Sequence, residues 1–310
     1  MKKKLSVVIS AYNEEKKIED CLKSVAWADE IILVDNSSSD STVMLAKKHN
    51  AKVFTQENNR MLNVNKNFGF TQAAGDWILN LDADERVSRE LSIEIQKVIS
   101  EEDDVTVGYW IPRKNIIFGK WIQNDMWWPD AQLRLFKKGK GRFPQQHVHE
   151  YLHADGPTKT LGGSMEHHNY ETISQFLYKL DKIYTENEAE NWLREKKAFS
   201  YIDALKLPAQ DFLKTFFYQK GYKDGLHGLV LSMLQAFYTL VVFAKAWEKK
   251  GFFEENPKDF LPNLFSQFTK IALETKYWMM TVLVNSTNNP FKKIVFRILR
   301  KQIKKQLEKK

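Results

Sequence analysis

The sequence contains a single cysteine, Cys21, among 310 residues. One cysteine can form no internal disulfide and cannot supply a zinc site that needs several thiolates, so disulfide-rich scaffolds and zinc fingers are excluded. Glycine and proline are also scarce, at 13 and 8 residues. With 43% hydrophobic and 28% charged residues, the composition excludes collagen-like and wholly disordered chains and predicts a packed core.

Positive charge is in excess, but the excess lies at one end of the sequence. Lysine and arginine number 47 and aspartate and glutamate 39, which gives a net charge of +8. Residues 292–310 contain nine basic residues and one glutamate, so this tail accounts for the whole excess. A nucleic-acid-binding protein normally carries positive charge on its folded body. We therefore expect no nucleic-acid partner.

Short apolar segments alternate with helical patterns through the first hundred residues. Strands are predicted at residues 5–10, 31–34, 52–54 and 77–81, and helices at residues 17–26 and 42–49. This alternation predicts an α/β fold with a mostly parallel sheet and helices on both faces. Ligands of such sheets bind beyond the carboxyl ends of the strands, where polar clusters follow three of the predicted strands. These clusters are residues 12–14, 35–40 and 82–85.

The pattern changes from about residue 108 to short segments rich in Trp, Gly and Pro, which we expect to be strands and loops that close over a site. Residues 174–201 then have the pattern of one long polar helix. We expect a catalytic domain over residues 1–170, a helical extension over 171–221 and a third region over 222–310. The basic start precedes only a short apolar run, which predicts a first strand rather than a signal peptide, and hence a cytoplasmic enzyme domain.

The third region contains two segments that suggest a membrane. Residues 229–244 are apolar except for three polar side chains, but sixteen residues are fewer than the roughly 20 that span a bilayer. A buried packing helix and a membrane-embedded helix both remain open for this segment. Residues 291–307 place apolar side chains at helical spacing opposite a basic face, which is typical of a helix on an anionic membrane surface. A solvated terminal helix is the alternative.

Two carboxylates, Asp82 and Asp84, directly follow the fourth predicted strand. Side chains two residues apart at a strand end can converge on one hard cation. Mg²⁺ and Mn²⁺ prefer oxygen ligands and usually retain positions for water and substrate phosphates. The pair therefore predicts a divalent metal site.

Four motifs, in order, resemble those of the family 2 glycosyltransferases, nucleotide-sugar-dependent enzymes of the GT-A fold, over residues 4–170. They are SVVISAYNEE at 6–15, ILVDNSSSDST at 32–42, KNFG at 66–69 and GDWILNLDADE at 75–85. Three later motifs resemble the group that includes the lipopolysaccharide-core β-glucosyltransferases. These are WPDAQLRLF at 128–136, VHE at 148–150 and KDGLHG at 223–228.

The resemblance implies a UDP-sugar donor and assigns residues to it. The loop with Ala11, Tyr12 and Glu14 would wall the nucleoside, with Glu14 near the ribose. Asp35 would accept a hydrogen bond from the uracil ring, and Lys66 would lie close to the base or the phosphates.

The same resemblance assigns the metal. Asp82 would face the ribose and the metal, and Asp84 would hold the Mg²⁺ or Mn²⁺ that bridges the diphosphate. His149 would touch the metal or the diphosphate. A divalent ion stabilises the charge that develops on a departing nucleoside diphosphate.

An inverting transfer needs one general base for the acceptor hydroxyl, and Asp130 matches the position of the family's base. Trp127 and Trp128 precede it and offer faces on which sugar rings stack. Asp125 and Glu150 are rival candidates for the base. An ordinary turn residue is the structural alternative for Asp130.

Residues 149–153, HEYLH, also match the pattern of a zinc protease. That chemistry requires a helix that turns both histidines towards one metal. Glycine and proline on both sides disfavour such a helix, and the third ligand position of one protease clan would fall on Lys159. We therefore expect a strand and loop here.

These observations favour an inverting, metal-dependent hexosyltransferase that moves a sugar, with glucose favoured, from a UDP-sugar to a hydroxyl of a membrane-linked saccharide such as lipopolysaccharide core. The enzyme would lie peripherally on the inner face of the plasma membrane, on an anionic surface. One alternative is transfer to a polyprenyl phosphate, an acceptor that is already ionised and needs no base. Another is a non-catalytic module that binds a membrane surface.

Overall fold

The computed structural model describes residues 3–58, 62–101, 103, 105–145, 150–195, 200–254 and 258–308. By its internal contacts the chain forms two compact units. The first unit contains residues 1–121 and 127–169, and the second contains residues 122–126 and 170–310. The residues expected as a helical extension and as a third region both belong to the second unit.

The first unit alternates strands and helices through its first hundred residues, as predicted, and then continues with strands. The elements are β1 (Leu5–Ala11), α1 (Ile18–Ser24), β2 (Glu30–Asp35), α2 (Thr42–Lys48), β3 (Lys52–Thr55), α3 (Leu62–Gln72), β4 (Trp77–Asp82), β5 (Glu85–Val87), α4 (Arg89–Ser100), β6 (Gly108–Ile111), β7 (Arg113–Ile117), β8 (Lys120–Trp121), β9 (Gln132–Lys137), β10 (Gly141–Arg142), β11 (His153–Ala154), β12 (Thr158–Thr160) and β13 (Met165–Tyr170).

A seven-stranded sheet in the order β12-β6-β9-β4-β1-β2-β3 forms the centre of this unit. Strands β3, β2, β1 and β4 are parallel to one another, and β6 is parallel to β12. Strand β9 is antiparallel to both of its neighbours, β4 and β6. The predicted α/β fold with a mostly parallel sheet is therefore confirmed.

Helices cover both faces of this sheet because its central strands are apolar on both sides. All seven residues of β1 are buried, as a strand covered on two faces requires. Alternate side chains of β1, such as Val7 and Val8, enter two separate hydrophobic clusters. The first cluster includes residues of α1, α2 and α4. The second includes Phe70 of α3 and Ala73, which directly follows α3.

The register of the parallel strands brings three polar strand ends to one edge of the sheet. Ala11 at the end of β1 lies opposite Asp35 at the end of β2. Ser10 lies opposite Asp82 at the end of β4. Two-residue periodicity alone would not fix this alignment, but the buried apolar residues on both faces do, since a slip of one residue would exchange the two clusters. The polar residues that end these three strands therefore lie at one edge of the sheet.

A second, four-stranded sheet in the order β5-β13-β7-β8 stands beside this edge. Strand β5 begins at Glu85, one residue after Asp84, so the chain passes directly from the Asp-x-Asp motif into this sheet. Strands β7 and β13 supply polar residues of the site described below. These short, half-buried strands follow the predicted change of pattern near residue 108.

The second unit is helical. Its helices are α5 (Ile173–Lys179), α6 (Thr185–Arg194), α7 (Asp203–Leu213), α8 (Leu226–Lys249), α9 (Phe260–Ser286) and α10 (Pro290–Leu307). The long helix predicted over 174–201 is wrong as one element, because a π-helical turn, Leu180–Tyr184, separates α5 from α6. In that turn the Thr185 hydroxyl donates a hydrogen bond to the carbonyl oxygen of Leu180.

Helix α8 contains the apolar segment 229–244 and packs against α6 and α7. The polar side chains in the segment have partners inside this unit, because Gln235 and Thr239 both donate to Asp211 of α7. Other residues of α8 remain exposed, including Met233 and Phe237. Among the described residues, this helix alone is long and apolar enough to cross a membrane. A buried face and an exposed apolar face therefore coexist on α8.

Helix α3 can approach the sheet closely because residue 69 is glycine. A Cβ atom at Gly69 would lie 2.6 Å from Cγ1 of Val8 and 2.7 Å from Cγ2 of Val34. Both contacts are with short branched side chains of central strands, which have no room to move. We predict that Gly69→Ala lowers the free energy of unfolding of this unit by about 1–3 kcal/mol through overpacking. Hydrogen exchange of the β1 amides in urea measures the change.

Gly162→Ala is the matched control, since the nearest atom to its Cβ would be 3.7 Å away. This control should change the free energy by no more than about 0.5 kcal/mol. Equal effects of the two substitutions would contradict the close packing of α3.

Candidate active site

Two loops at the carboxyl ends of β1 and β2 are tied together by hydrogen bonds. The backbone N–H of Asn13 donates to the Ser38 hydroxyl, and the side-chain Oδ1 of Asn13 accepts from the backbone N–H of Ser39. Asn13 and Ser37 adopt positive φ angles of 54° and 62°, which residues other than glycine rarely do. Such backbone conformations persist where surrounding bonds hold them, and they are frequent at ligand sites.

The residues predicted to wall the nucleoside lie on these loops. Tyr12 is exposed and available for stacking, whereas Ala11 is buried at the end of β1. The N–H of Glu14 donates to the Thr42 hydroxyl, which fixes the first loop against the start of α2. Asp35 is buried, and its carboxylate accepts from the N–H of Ser38 at 3.2 Å and 3.3 Å. The structure therefore brings the predicted nucleoside residues of both loops to one edge.

Asp82 lies between two cations. Its Oδ1 is 2.5 Å from Nζ of Lys66, and its Oδ2 is 2.8 Å from a guanidinium nitrogen of Arg134. Desolvation opposes ionisation of this carboxyl, but the charges of Lys66 and Arg134 outweigh it and hold the pKa of Asp82 well below its ordinary value. Lys66, predicted near the base or phosphates, is thus placed at the Asp-x-Asp motif. Asp82 is anionic, with both oxygens already engaged.

Arg134 and a second arginine share one buried carboxylate. Oε1 of Glu85 lies 2.6 Å from Arg134 and 3.3 Å from Arg113, and Glu85 is completely buried. The other oxygen of Glu85 accepts from the backbone N–H of Asp82. Burial and the neighbouring anions act in opposite directions on Arg134, and the anions raise its pKa above the ordinary value. Arg134 therefore remains charged.

The second arginine extends this chain of contacts to the candidate base. Arg113 donates to Oδ2 of Asp130 at 2.7 Å, and Gln132 donates to Oδ1 at 3.2 Å. Asp130 has a positive φ of 39°, so its backbone is held in a strained conformation. Six side chains thus form one ion-pair network, with three carboxylates balanced by three cations. They are Lys66, Asp82, Arg134, Glu85, Arg113 and Asp130.

Asp84 faces a histidine instead of a lysine or arginine. Nε2 of His167, on β13, lies 3.6 Å from Oδ2 of Asp84. Burial opposes ionisation of Asp84, but the charge of the adjacent His167 outweighs it and lowers the pKa of Asp84 to about 2. The other ring nitrogen of His167 lies 2.7 Å from Oδ1 of Asn115, on β7.

The donor atoms here fit a divalent ion bound together with substrate phosphates. The described residues contain no group of three or more His, Cys, Asp or Glu side chains placed to hold a metal by themselves. Asp84 and His167 provide two ligands side by side, and Mg²⁺ or Mn²⁺ commonly uses one or two carboxylates plus phosphate oxygens and water. His149, also predicted to touch the metal, lies outside the described residues.

The rivals of Asp130 lie in other surroundings. Asp125 belongs to the second unit, where its carboxylate is 2.7 Å from Nζ of Lys220. Glu150 accepts from the N–H of Gln145 at 2.7 Å. Residues 150–152 are not helical and lead into the short strand β11, so the described part of the zinc-protease pattern lacks the helix that chemistry requires.

Several residues of this site were not predicted from the sequence. Glu85 directly follows the Asp-x-Asp motif, and Arg134 lies within the motif at 128–136, so each carried a positional signal. Arg113, Asn115 and His167 carried none, because their roles depend on the pairing of β7 and β13.

Because Glu85 is buried between two arginines, its neutralisation should leave uncompensated positive charge in the interior. We predict that Glu85→Gln lowers the free energy of unfolding of the first unit by about 3–5 kcal/mol. Hydrogen exchange of the β4 and β9 amides in urea reports this value. Glu90→Gln, on the exposed first turn of α4, is the control and should leave exchange unchanged. Equal stability of both variants would contradict the bridging role of Glu85.

Comparisons with known proteins agree with the family resemblance. A model of the family described as Glycosyl transferase family 2 matches residues 6–154. The lipopolysaccharide core biosynthesis glycosyltransferase LpsC of Rhizobium meliloti is 27% identical over 251 residues, which cover 79% of this chain and 92% of LpsC. An uncharacterized glycosyltransferase of Rickettsia typhi is 30% identical over 259 residues, which cover 79% of this chain and 87% of that protein.

Among solved structures, a fragment of S. aureus TarS in complex with UDP-GlcNAc is 16% identical, with a TM-score of 0.46 over 98% of this chain and 92% of that chain. A longer TarS structure has a TM-score of 0.40, and the match covers 77% of this chain and 55% of that one. The identity and coverage of the Rickettsia relative, together with the family match across the strand-end motifs, establish the family. The chain belongs to glycosyl transferase family 2 and is a glycosyltransferase of the GT-A fold.

Proposed function

We propose that this glycosyltransferase moves a sugar, with inversion and with a divalent metal, from a UDP-sugar to a hydroxyl of a membrane-linked saccharide. One observation carries the proposal. Asp84 with His167 on the donor side, and Asp130 on the acceptor side, are linked through Asn115 by one ion-pair contact and two hydrogen bonds at the carboxyl edge of the sheet. A single displacement needs both sides, because one stabilises the leaving group and the other accepts a proton.

The donor side suits a uridine nucleotide. Asp35 is a buried carboxylate at the strand end, with lone pairs to accept from the N–H of a pyrimidine ring. Tyr12 is exposed beside it and offers a face for stacking. Glu14 follows on the same loop and, from the family resemblance, would lie near the ribose. These assignments make Ala11, Tyr12, Glu14 and Asp35 the nucleoside wall.

Asp84 and His167 would hold the metal, which supplies positive charge to the oxygens of the departing diphosphate. Lys66 and Arg134 both contact Asp82, two residues before Asp84, and would contribute fixed positive charge on the same side. Because both cations are already held by Asp82, they need no rearrangement when negative charge develops, and such preorganisation is effective in catalysis. His149 remains a predicted further contact of the metal or the diphosphate.

Asp130 is the proposed general base. Its Oδ2 is occupied by Arg113 and Asn115, whereas among the described residues Oδ1 accepts one bond, from Gln132, which leaves a lone-pair direction for a further donor. As the acceptor hydroxyl attacks the anomeric carbon, Oδ1 takes its proton, a new glycosidic C–O bond forms, and the bond to the diphosphate breaks. UDP leaves with the bonding electrons.

Tryptophans next to Asp130 suit a saccharide acceptor. Trp121 and Trp128 pack edge to face with ring centroids 5.3 Å apart, and Nζ of Lys114 lies 5.0 Å from the Trp121 ring. Aromatic faces stack on sugar rings. The relative LpsC is described as an enzyme of lipopolysaccharide core biosynthesis, which favours a lipopolysaccharide-type acceptor and the cell envelope. Glucose remains the favoured sugar from the family resemblance.

The C-terminal helices suit a location on the inner face of the plasma membrane. Helix α10 packs on α9, and its opposite face exposes apolar side chains that no described residue covers. They are Phe291, Ile294, Val295, Ile298 and Leu299. Lysines and arginines flank this face, an arrangement that binds anionic lipid surfaces through both apolar burial and charge.

The catalytic assignments predict different kinetic losses for two substitutions. Asp130→Asn should lower kcat by about 10²–10⁴-fold, because the amide cannot take the proton. Asp84→Ala should abolish transfer and lower the affinity for Mn²⁺ measured with UDP. Release of UDP from a panel of UDP-sugars, with a saccharide acceptor, measures the transfer rate of both variants. Calorimetry with UDP present measures the affinity for Mn²⁺.

Asp125→Asn is the matched control, since Asp125 is the rival base and lies in a surface ion pair. It should alter kcat by no more than about twofold. A polyprenyl phosphate acceptor would make Asp130→Asn nearly silent. No UDP release by the wild type with any donor would support the non-catalytic alternative and contradict the proposal.

The membrane assignment predicts a selective loss for Ile298→Glu on the exposed face of α10. Burial of an isoleucine in lipid contributes about 1.5–3 kcal/mol, so the variant should bind phosphatidylglycerol vesicles at least about tenfold more weakly in a sedimentation assay. Ile93→Glu introduces the same change at a similarly exposed residue of α4, 59% against 53%. Equal binding of both variants would contradict an α10 contact with the membrane.

A further inference from the structure

We propose that Asn115 is a positioning residue that holds the general base and the metal-side histidine in their reactive orientations at the same time. The inference rests on the function proposed above for Asp130 and His167. It concerns one side chain of β7 that touches both of them and is itself completely buried.

The amide of Asn115 makes three hydrogen bonds. Its Nδ2 donates to the carbonyl oxygen of Trp127 and to Oδ2 of Asp130, each at 2.9 Å. Its Oδ1 lies 2.7 Å from Nδ1 of His167. Because both partners of Nδ2 are acceptors, the amide can be oriented only in this way. The orientation of Asn115 is therefore determined by its contacts.

The first consequence concerns Asp130. Asn115 and Arg113 both donate to Oδ2, from two residues of the same strand, and so fix the plane of the carboxylate. Without Asn115, Arg113 would be the remaining donor to Oδ2, and the longer bond from Gln132 to Oδ1 would be the other restraint on rotation of the carboxylate. The second donor restricts that rotation, so Oδ1 stays directed away from the network as the proton acceptor.

The second consequence concerns His167. Oδ1 of Asn115 is an acceptor, so Nδ1 keeps its hydrogen when the ring is in the neutral form that binds metals, and Nε2 then presents its lone pair towards Asp84. The competing tautomer would donate from Nε2 to Asp84, but that distance is 3.6 Å against 2.7 Å to Asn115, so the shorter hydrogen bond prevails. Partners of this kind orient metal-bound histidines and fix their tautomer.

Among common side chains, a carboxamide suits this position best. The base requires a donor from β7, whereas the histidine requires an acceptor from the same side chain. A carboxylate offers acceptors only, an ammonium group offers donors only, and a hydroxyl is too short to reach both directions in a fixed plane. One amide thus sets the spacing between the proton acceptor and the donor-phosphate side.

Two substitutions separate the two roles. Asn115→Ala removes both contacts. Asn115→Asp keeps an acceptor for His167 but removes the donor to Asp130. Thr106→Val is the control, since Thr106 is equally buried, lies before β6 at the opposite edge of the sheet, and loses one hydrogen bond to Asp103.

The first measurement needs neither metal nor activity. Long-range ¹H–¹⁵N spectra of the metal-free protein at alkaline pH report which ring nitrogen of His167 carries the hydrogen, with His167→Gln to assign the signal. We expect Nδ1–H in the wild type, in Asn115→Asp and in Thr106→Val. In Asn115→Ala the hydrogen should move to Nε2, towards Asp84. An unchanged tautomer in Asn115→Ala would overturn the proposed role of Asn115 in orienting His167.

The second measurement compares Mn²⁺ affinity, by calorimetry with UDP present, with kcat. Asn115→Ala should lower Mn²⁺ affinity by about 10–100-fold and also lower kcat. Asn115→Asp should retain Mn²⁺ affinity to within a few-fold yet lose about 10²–10⁴-fold in kcat with little change in KM. Thr106→Val should match the wild type in both.

The outcomes distinguish this inference from the function on which it rests. If the wild type binds no Mn²⁺ with UDP and transfers no sugar, the proposed function fails. The tautomer measurement still decides whether Asn115 orients His167. If the wild type is active and both Asn115 variants behave like Thr106→Val, the positioning role is overturned. Parallel losses of kcat and Mn²⁺ affinity in Asn115→Asp would likewise contradict separate roles of Asn115 towards Asp130 and His167.

Discussion

The arrangement of the site depends on one buried carboxylate, Glu85, shared by two arginines. Burial of an unpaired charge costs several kcal/mol, so Glu85 is stable only while Arg134 and Arg113 remain in place. Each arginine in turn holds a carboxylate at the edge of the sheet, Asp82 on the donor side and Asp130 on the acceptor side. One anion immediately after the Asp-x-Asp motif therefore fixes both halves of the proposed reaction relative to each other.

The sequence predicted the part of the site that depends on parallel strands. The polar clusters after β1, β2 and β4 could be aligned because the carboxyl ends of such strands share an edge. The contact of Asn115 with His167 could not be derived in this way, since the two residues meet only through the short, half-buried strands β7 and β13. Among several histidines, His167 is distinguished by its partners, and no spacing in the sequence reveals them. His149, the histidine chosen from the sequence, lies outside the described residues.

The helical unit shows a similar limit of sequence patterns. Hydropathy left open whether residues 229–244 form a packing helix or a membrane-embedded helix, and the structure shows why both patterns coincide. Helix α8 buries one face against α6 and α7 and exposes Met233 and Phe237 on another, so both its buried and its exposed faces carry apolar residues. The predicted terminal helix is present as α10, whose exposed apolar face and basic flanks agree with the expected amphipathic pattern.

The central claim is that the residues at this edge bind a divalent ion beside the diphosphate of a nucleotide. Anomalous diffraction at the manganese edge, from crystals grown with Mn²⁺ and UDP, tests it most directly. We expect one Mn²⁺ peak within ligand distance of an Oδ atom of Asp84 and Nε2 of His167, in contact with phosphate oxygens. Ordered UDP with no manganese peak, or a peak that touches neither residue, would contradict it.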